Sequence, residues 1–149
     1  MSIQTLHFPS ARHLNQLYCG RPENLALVEK LLGAAVTTRE EWLKIDGAET
    51  AVARTEAFFN FLNDGREQGL ALRQPEFVKL LEGFAAGDEA KLRSLFAEPL
   101  VIATNRRSIV PKTIGQKLYL QAIQANPIVF GIGPAGTGKT YLAMASAIS

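Results

Sequence analysis

The most informative stretch of this 149-residue chain reads Gly133-Pro134-Ala135-Gly136-Thr137-Gly138-Lys139-Thr140. It fits the pattern G-x-x-x-x-G-K-[ST] at every fixed position, and this pattern is typical of loops that bind nucleotide phosphates. The preceding residues 128–132 are apolar without alternation, which predicts a strand covered on both faces, and helix-forming residues follow the loop. We therefore expect the loop to join a strand of a parallel sheet to a helix.

Each residue type in this loop has a chemical reason. Glycine allows backbone N–H groups to approach phosphate oxygens closely, and the start of the following helix adds a partial positive charge. Lys139, the predicted catalytic residue, would place its ammonium at the β and γ phosphates, and the Thr140 hydroxyl would hold Mg²⁺. The predicted nucleotide-binding residues of the loop are Gly133, Pro134, Ala135, Gly136, Thr137, Gly138, Lys139 and Thr140. A glycine-rich turn without a ligand is the alternative.

An amphipathic helix is predicted at residues 113–123, ahead of the loop, and it carries Gln116. A side-chain amide both donates and accepts, so it matches the N6 and N7 edge of adenine in a bidentate pair. Gln116 is thus a candidate for selecting ATP over GTP, as in helicase-like ATPases with a glutamine before the phosphate loop. The alternative is a glutamine that simply faces solvent, and the sequence leaves both open.

The charge and composition of the chain limit its class. With 16 basic and 14 acidic residues and 47% hydrophobic residues, the chain has the composition of a globular protein. No window is apolar enough for a membrane span, no signal-peptide pattern opens the chain, and Cys19 is the single cysteine, so we expect a cytoplasmic protein. Five basic residues and no acidic one follow Glu98, which predicts a C-terminal part that attracts anions.

The N-terminal residues predict a small α+β unit. Their pattern gives a strand at 3–8, a helix at 11–17, a glycine turn, a helix at 22–32, strands at 34–38 and 42–45, and a helix ending at Asn63-Asp64-Gly65. This order is that of KH-type RNA-binding modules, in which a GxxG turn clamps the nucleic-acid backbone. Here the turn reads Gly20-Arg21-Pro22-Glu23 and lacks the second glycine, so an α+β domain without a ligand is an equal alternative.

The fold prediction for the whole chain is α/β with three parts. A KH-like α+β domain covers 1–65, a helical connector covers 66–99, and the start of a P-loop NTPase with a doubly wound parallel sheet covers 100–149. A hairpin is predicted around Arg106-Arg107, which we expect to face solvent. Hydrolysis in such proteins needs a Walker B carboxylate, and none follows Glu98, so we expect a partial sequence of a longer ATPase.

Two runs resemble a known family. Pro111-Lys112-Thr113-Ile114-Gly115-Gln116-Lys117-Leu118-Tyr119 and the stretch from Phe130 to Ala143 resemble the start of the ATPase domain in PhoH-like proteins. The resemblance is close over 108–145 and looser around Glu23-Asn24-Leu25. It implies a cytoplasmic P-loop protein, related to superfamily 1 helicases, that uses ATP and Mg²⁺ and acts on RNA. A homo-oligomer is a further expectation, because P-loop ATPases of this kind often form rings.

Three functions remain open on the sequence. The first is an ATP-dependent, RNA-associated motor or switch; the second is a noncatalytic RNA-binding adaptor; the third is a nucleotide-binding structural subunit. The remaining residues with reactive or base-stacking side chains lack partners at suitable spacing, and we interpret them as packing or surface residues. They are His7, His13, Cys19 and Trp42.

Overall fold

A computed structural model describes residues 1–97, 101–103 and 108–148 of the chain. Its N-terminal part contains a three-stranded antiparallel sheet in the order β1-β3-β2. Its strands are β1 (Ser2–His7), β2 (Ala35–Arg39) and β3 (Trp42–Gly47). In the central strand β3, Leu43 and Ile45 are completely buried and alternate with residues that are partly exposed. This alternation follows from the two-residue period of a strand and gives the sheet one face toward the core.

Three helices complete this unit, namely α1 (Ala11–Leu17), α2 (Pro22–Leu32) and α3 (Glu49–Glu67). The Ser10 hydroxyl accepts a hydrogen bond from the His13 N–H at 3.1 Å and caps α1, while Gly33, with φ of 83°, ends α2. The predicted order of strands and helices is confirmed. The predicted end of α3 at Asn63-Asp64-Gly65 is wrong by two residues, since the helix continues to Glu67 and Gly65 is buried within it.

Two further helices follow, α4 (Gln74–Ala86), which packs against α3, and α5 (Glu89–Ala97), which packs against α4. The Phe58 ring of α3 meets Phe77 and Phe84 of α4 edge to face, with ring centroids 5.6 and 5.2 Å apart. Asn24 of α2 and Gln74 of α4 exchange two amide hydrogen bonds of 2.7 and 2.8 Å. The helices of the predicted connector therefore share the first hydrophobic core with the N-terminal unit.

The C-terminal part has the short strands β4 (Ile102–Ala103) and β5 (Ser108–Ile109), paired antiparallel, and the helices α6 (Ile114–Ala125) and α7 (Lys139–Ala147). Arg106 and Arg107, predicted at the tip of this hairpin, lie outside the described residues. A small second core of Ile102, Leu120, Leu142 and Ala145 joins β4, α6 and α7, and Ile109 of β5 packs against it. The Ala71 N–H donates to the Lys112 carbonyl at 2.8 Å and links this part to the segment before α4.

The strand predicted at 128–132 is absent from the described structure. Ile128, Phe130 and Ile132 are exposed by 74%, 86% and 95% instead of buried. A parallel strand needs a neighbour to pair its backbone N–H and C=O groups, and neither of the two sheets among the described residues includes this segment. The structure is thus a mixed α/β arrangement with a small antiparallel sheet, and the parallel sheet and the KH-like classification stay predictions.

The division into 1–65, 66–99 and 100–149 also stays a prediction. In the part of the chain that the structure describes, no helix has the length and apolar character needed to span a membrane.

Candidate functional site

The loop that matches the phosphate-binding pattern leads directly into α7. Gly136 and Gly138 have φ of 78° and 85°, in the left-handed region that residues with a Cβ rarely adopt. Gly138 is the residue immediately before the first turn of α7, and Lys139 opens the helix. The two glycines therefore allow the chain to turn sharply into the helix, and the helix N-terminus faces the loop.

The Lys139 side chain folds back over this loop. Its Nζ donates to the carbonyl oxygens of Gly133 and Pro134 at 2.8 and 2.7 Å and to Thr137 Oγ1 at 3.1 Å. The Thr137 hydroxyl in turn donates to the Pro134 carbonyl at 2.9 Å. The ammonium thus lies within the turn of the loop, where anionic oxygens could replace carbonyl oxygens as its partners.

Gln116, predicted to recognise adenine, reaches the same loop from α6. Its Nε2 donates to the Thr137 carbonyl at 3.2 Å, and its Oε1 accepts from the Lys112 N–H at 2.8 Å. The Thr113 side chain caps α6 by accepting from the Gln116 N–H, which fixes the first turn of the helix. The structure therefore brings Gln116 to the loop, with both ends of its amide bonded to backbone groups.

A cavity of about 440 Å³ lies between α6 and the loop. The predicted residues that line it are Gly133, Pro134, Thr137, Lys139 and Gln116. Four other predicted residues, Ala135, Gly136, Gly138 and Thr140, belong to the loop and the first turn of α7 but are outside the lining. Thr140 is exposed, so its hydroxyl is accessible to a cation in solution. The structure thus collects five of the nine predicted residues around one cavity.

Tyr119 and Lys79 also line this cavity, and the motif points to neither of them. Tyr119 lies one helical turn after Gln116, and its ring atoms come within 3.0–3.2 Å of where a Cβ on Gly131 would lie. The i, i+3 spacing could have placed Tyr119 beside Gln116 on α6. Lys79 lines the cavity from α4, far upstream in sequence, and no local pattern points to it.

The second hydrophobic core holds α6 and α7 together on either side of the loop. Leu120 on α6 and Leu142 on α7 are almost completely buried in this core. Gln116 lies one helical turn before Leu120 on the same face of α6, so this packing brings Gln116 close to the start of α7. Lys117 is also buried, and burial lowers the pKa of its amine from the usual value for lysine. Its place one residue after Gln116 puts it on a different face of α6.

The site offers more binding groups for the phosphates of a nucleotide than for a metal ion. The loop offers left-handed glycines, an ammonium and a helix start, which together fit a chain of phosphates. For Mg²⁺ the described residues offer the Thr140 hydroxyl, and they contain no group of three or more His, Cys, Asp or Glu side chains that could hold a metal ion. A metal held here would therefore take most of its ligands from phosphate oxygens and water.

The other candidate residues lie apart from this cavity. The His13 Nε2 and Asn63 Oδ1 atoms are 2.6 Å apart, and the ring of His13 stacks on Phe8. These contacts explain the position of His13 as part of the packing of the N-terminal unit. Burial raises the pKa of the Cys19 thiol, although the charge of Arg21 opposes the shift. A raised pKa makes the thiol a poor nucleophile at neutral pH.

Comparisons with known proteins agree with the sequence resemblance. Residues 108–149 match a family model described as PhoH-like protein. The chain is 40% identical over 130 residues to a PhoH-like protein of Mycobacterium tuberculosis, covering 85% of this chain and 36% of that protein. It is 30% identical over 132 residues to one of Bacillus subtilis, covering 89% and 41%, and 32% identical over 146 residues to one of Synechocystis, covering 97% and 44%. No solved structure matches.

Proposed function

Because this chain belongs to the PhoH-like family, we propose that it binds ATP in the cavity between α6 and the loop at 133–140. Membership of the family makes a P-loop ATPase the expected class of protein. ATP and Mg²⁺ are the cofactors that this class uses. The chain spans less than half the length of the curated relatives it matches, so the activity of the whole protein is part of the proposal.

The observation that carries this proposal is the position of Lys139. Its ammonium has three oxygen partners within 3.1 Å in the turn of the loop, and it lies at the start of α7. In the proposed complex the ammonium exchanges the carbonyl oxygens of Gly133 and Pro134 for phosphate oxygens, which carry full charge and bind an ammonium more strongly. Backbone N–H groups at the start of α7 add to this attraction.

The other residues have proposed roles in orientation and selectivity. Gln116 would exchange its backbone partners for the adenine edge, and Tyr119 provides an aromatic ring in the same cavity. Thr140 would hold Mg²⁺ through its hydroxyl, and the bound cation would neutralise charge between the β and γ phosphates. The chain itself therefore binds and orients the nucleotide, and the complete protein would hydrolyse it.

For the complete protein we propose that ATP hydrolysis is coupled to the binding or remodelling of RNA in the cytoplasm. The support is the element order β1-α1-α2-β2-β3-α3 with an antiparallel sheet, which matches the order expected of a KH-like domain at 1–65. Residues 66–99 would then connect it to the ATPase domain that begins at about 100, with its parallel sheet completed by further strands. Assembly into a homo-oligomer is part of the same proposal.

Calorimetric titration of the chain with ATP and with GTP, each with Mg²⁺, tests the nucleotide proposal. We expect ATP to bind more tightly than GTP, and we expect Lys139→Ala to weaken ATP binding by about tenfold or more, because bonds from a charged donor contribute about 1.5–3 kcal/mol. Gln116→Ala should reduce the preference for ATP, since its amide is complementary to the edge of adenine and not to that of guanine.

Lys112→Ala is the matched control for charge. Its side chain is exposed close to Gln116, and the backbone N–H that bonds Gln116 is kept in the variant. ATP affinity should change little in this variant. Equal weakening by Lys112→Ala and Lys139→Ala would show that net charge alone attracts the nucleotide, and an absence of ATP binding would favour the noncatalytic adaptor.

A further inference from the structure

A second cavity, of about 700 Å³, lies on the N-terminal unit. It is enclosed by the turn between α1 and α2, the end of α3 and the segment 69–74 that leads into α4. Its lining shares no residue with that of the nucleotide cavity. We call it the arginine cleft, after the three arginines described next.

The polar side chains that line the arginine cleft are mainly cationic or amide groups. They are Arg21, Arg66 and Arg73 together with Asn15, Gln16 and Gln74. Each arginine comes from a different element, namely the α1–α2 turn, α3 and the residue that precedes α4. Among the described residues no carboxylate lines the cleft, so three guanidinium groups share it without an acidic partner in the lining. The local charge of +3 exceeds the net charge of +2 of the entire chain.

The fold holds this cleft in shape. Gly20 has φ of 65°, and a Cβ at this position would lie 3.0 Å from Asn15 Oδ1, so the turn needs glycine here. The Arg66 guanidinium donates to Gln16 Oε1, which fixes one arginine across the cleft. Gln74 is held by its two amide bonds to buried Asn24. These bonds set the positions of Arg66, Gln16 and Gln74 before any ligand arrives.

Most of the binding capacity of the arginines is still available to a ligand. A guanidinium has five N–H donors, and the bond from Arg66 to Gln16 uses one of them. Arg21 and Arg73 are exposed, so their donors can reach an anion in the cleft without first breaking buried packing. At the Cys19 thiol in the lining, burial raises the pKa most, the charge of Arg21 lowers it, and the carboxylate of Glu76 adds to the rise, so the positive charge of the cleft is partly opposed there.

We propose that the arginine cleft binds a phosphate group, carried by the backbone of a single-stranded nucleic acid or by a small phosphorylated molecule. The planar fork of a guanidinium matches two oxygens of a phosphate, and several arginines can share one phosphate because it offers several acceptor oxygens. The neutral amides of Asn15 and Gln74 can bind sugar or base atoms beside it. This proposal stands separately from nucleotide binding at the loop.

The experiment uses the 149-residue chain with Lys139→Ala, so that the nucleotide loop does not contribute. A fluorescently labelled single-stranded RNA is titrated by fluorescence anisotropy, and inorganic pyrophosphate is titrated by calorimetry. We expect binding of at least one probe, and we expect Arg21→Gln with Arg73→Gln to weaken it by about tenfold or more. With RNA, the slope of log affinity against log salt should fall by about 0.7 for each phosphate that the variant no longer neutralises.

Arg54→Gln on α3 is the matched control, because Arg54 is exposed, lies on the same helix as Arg66 and is outside the cleft. Binding of both RNA and pyrophosphate, each weakened about tenfold or more by the double variant, supports a phosphate site that accepts either source. Binding of one probe alone, with the same sensitivity to the double variant, identifies the source. Binding of neither probe, or equal weakening of binding by Arg54→Gln, overturns the proposal. This result does not depend on whether the chain with Lys139 intact binds ATP.

Discussion

Gly138 is the residue on which the geometry of the loop depends most. Its φ of 85° is in the left-handed region, and a Cβ there would lie 3.4 Å from Gln116 Nε2. A left-handed conformation costs a residue with a Cβ about 1–2 kcal/mol. We expect Gly138→Ala to lower the free energy of unfolding by about this amount and to weaken ATP binding, as measured by urea denaturation and by calorimetry.

Gly115→Ala provides the comparison for this substitution. Gly115 is in the first turn of α6, its φ is outside the left-handed region, and apart from its chain neighbours and the nearby backbone of its own helix no atom lies within 4 Å of where its Cβ would be. Alanine has a higher helix propensity than glycine, so the free energy of unfolding should stay the same or rise by up to about 1 kcal/mol. Equal destabilisation by the two variants would contradict the role given to Gly138.

At the scale of elements, the two hydrophobic cores differ greatly in size. The first core includes Phe58 and Phe77 with many other buried side chains, whereas α7 is held by Leu142 and Ala145 in the small second core. A small buried core allows local opening at low free energy. We expect amide hydrogens of α7 to exchange with solvent much faster than those of α3, and Mg²⁺ with ATP to slow exchange in α7. Equal protection in both helices would contradict this ranking.

The sequence predicts elements well where the signal is local. The helices predicted at 11–17 and 22–32 have these bounds in the structure, where Ser10 caps the first and Gly33 ends the second, because a cap needs only its neighbours in sequence. The apolar residues of 128–132 predict a strand, yet pairing depends on a neighbouring strand that the described residues do not supply. Asn63-Asp64-Gly65 predicts the end of α3, but the helix continues to Glu67 with Gly65 buried inside it, and a local turn signal does not include such tertiary burial.

At the scale of the whole molecule, the sequence identifies the loop and the family but not the long-range contacts. The motif locates Lys139 and Thr137, and helix spacing locates Gln116 ahead of them. In contrast, the bond between Ala71 and Lys112, which joins the two parts of the chain, has no sequence pattern. The position of Lys79 in the cavity beside the loop has no sequence pattern either, since tertiary packing alone sets which face of α4 lies toward that cavity. The arginine cleft likewise gathers residues from three separate elements.

The central claim is that ATP binds at the loop with Lys139, and amide NMR of the labelled chain during titration with Mg²⁺ and ATP tests it most directly. We predict saturable shifts at Gly136, Gly138, Lys139 and Gln116, because these residues form the loop and the neighbouring amide. Amides of α3 should barely shift. Shifts that are absent at the loop, or that are equally large across α3, would contradict the claim.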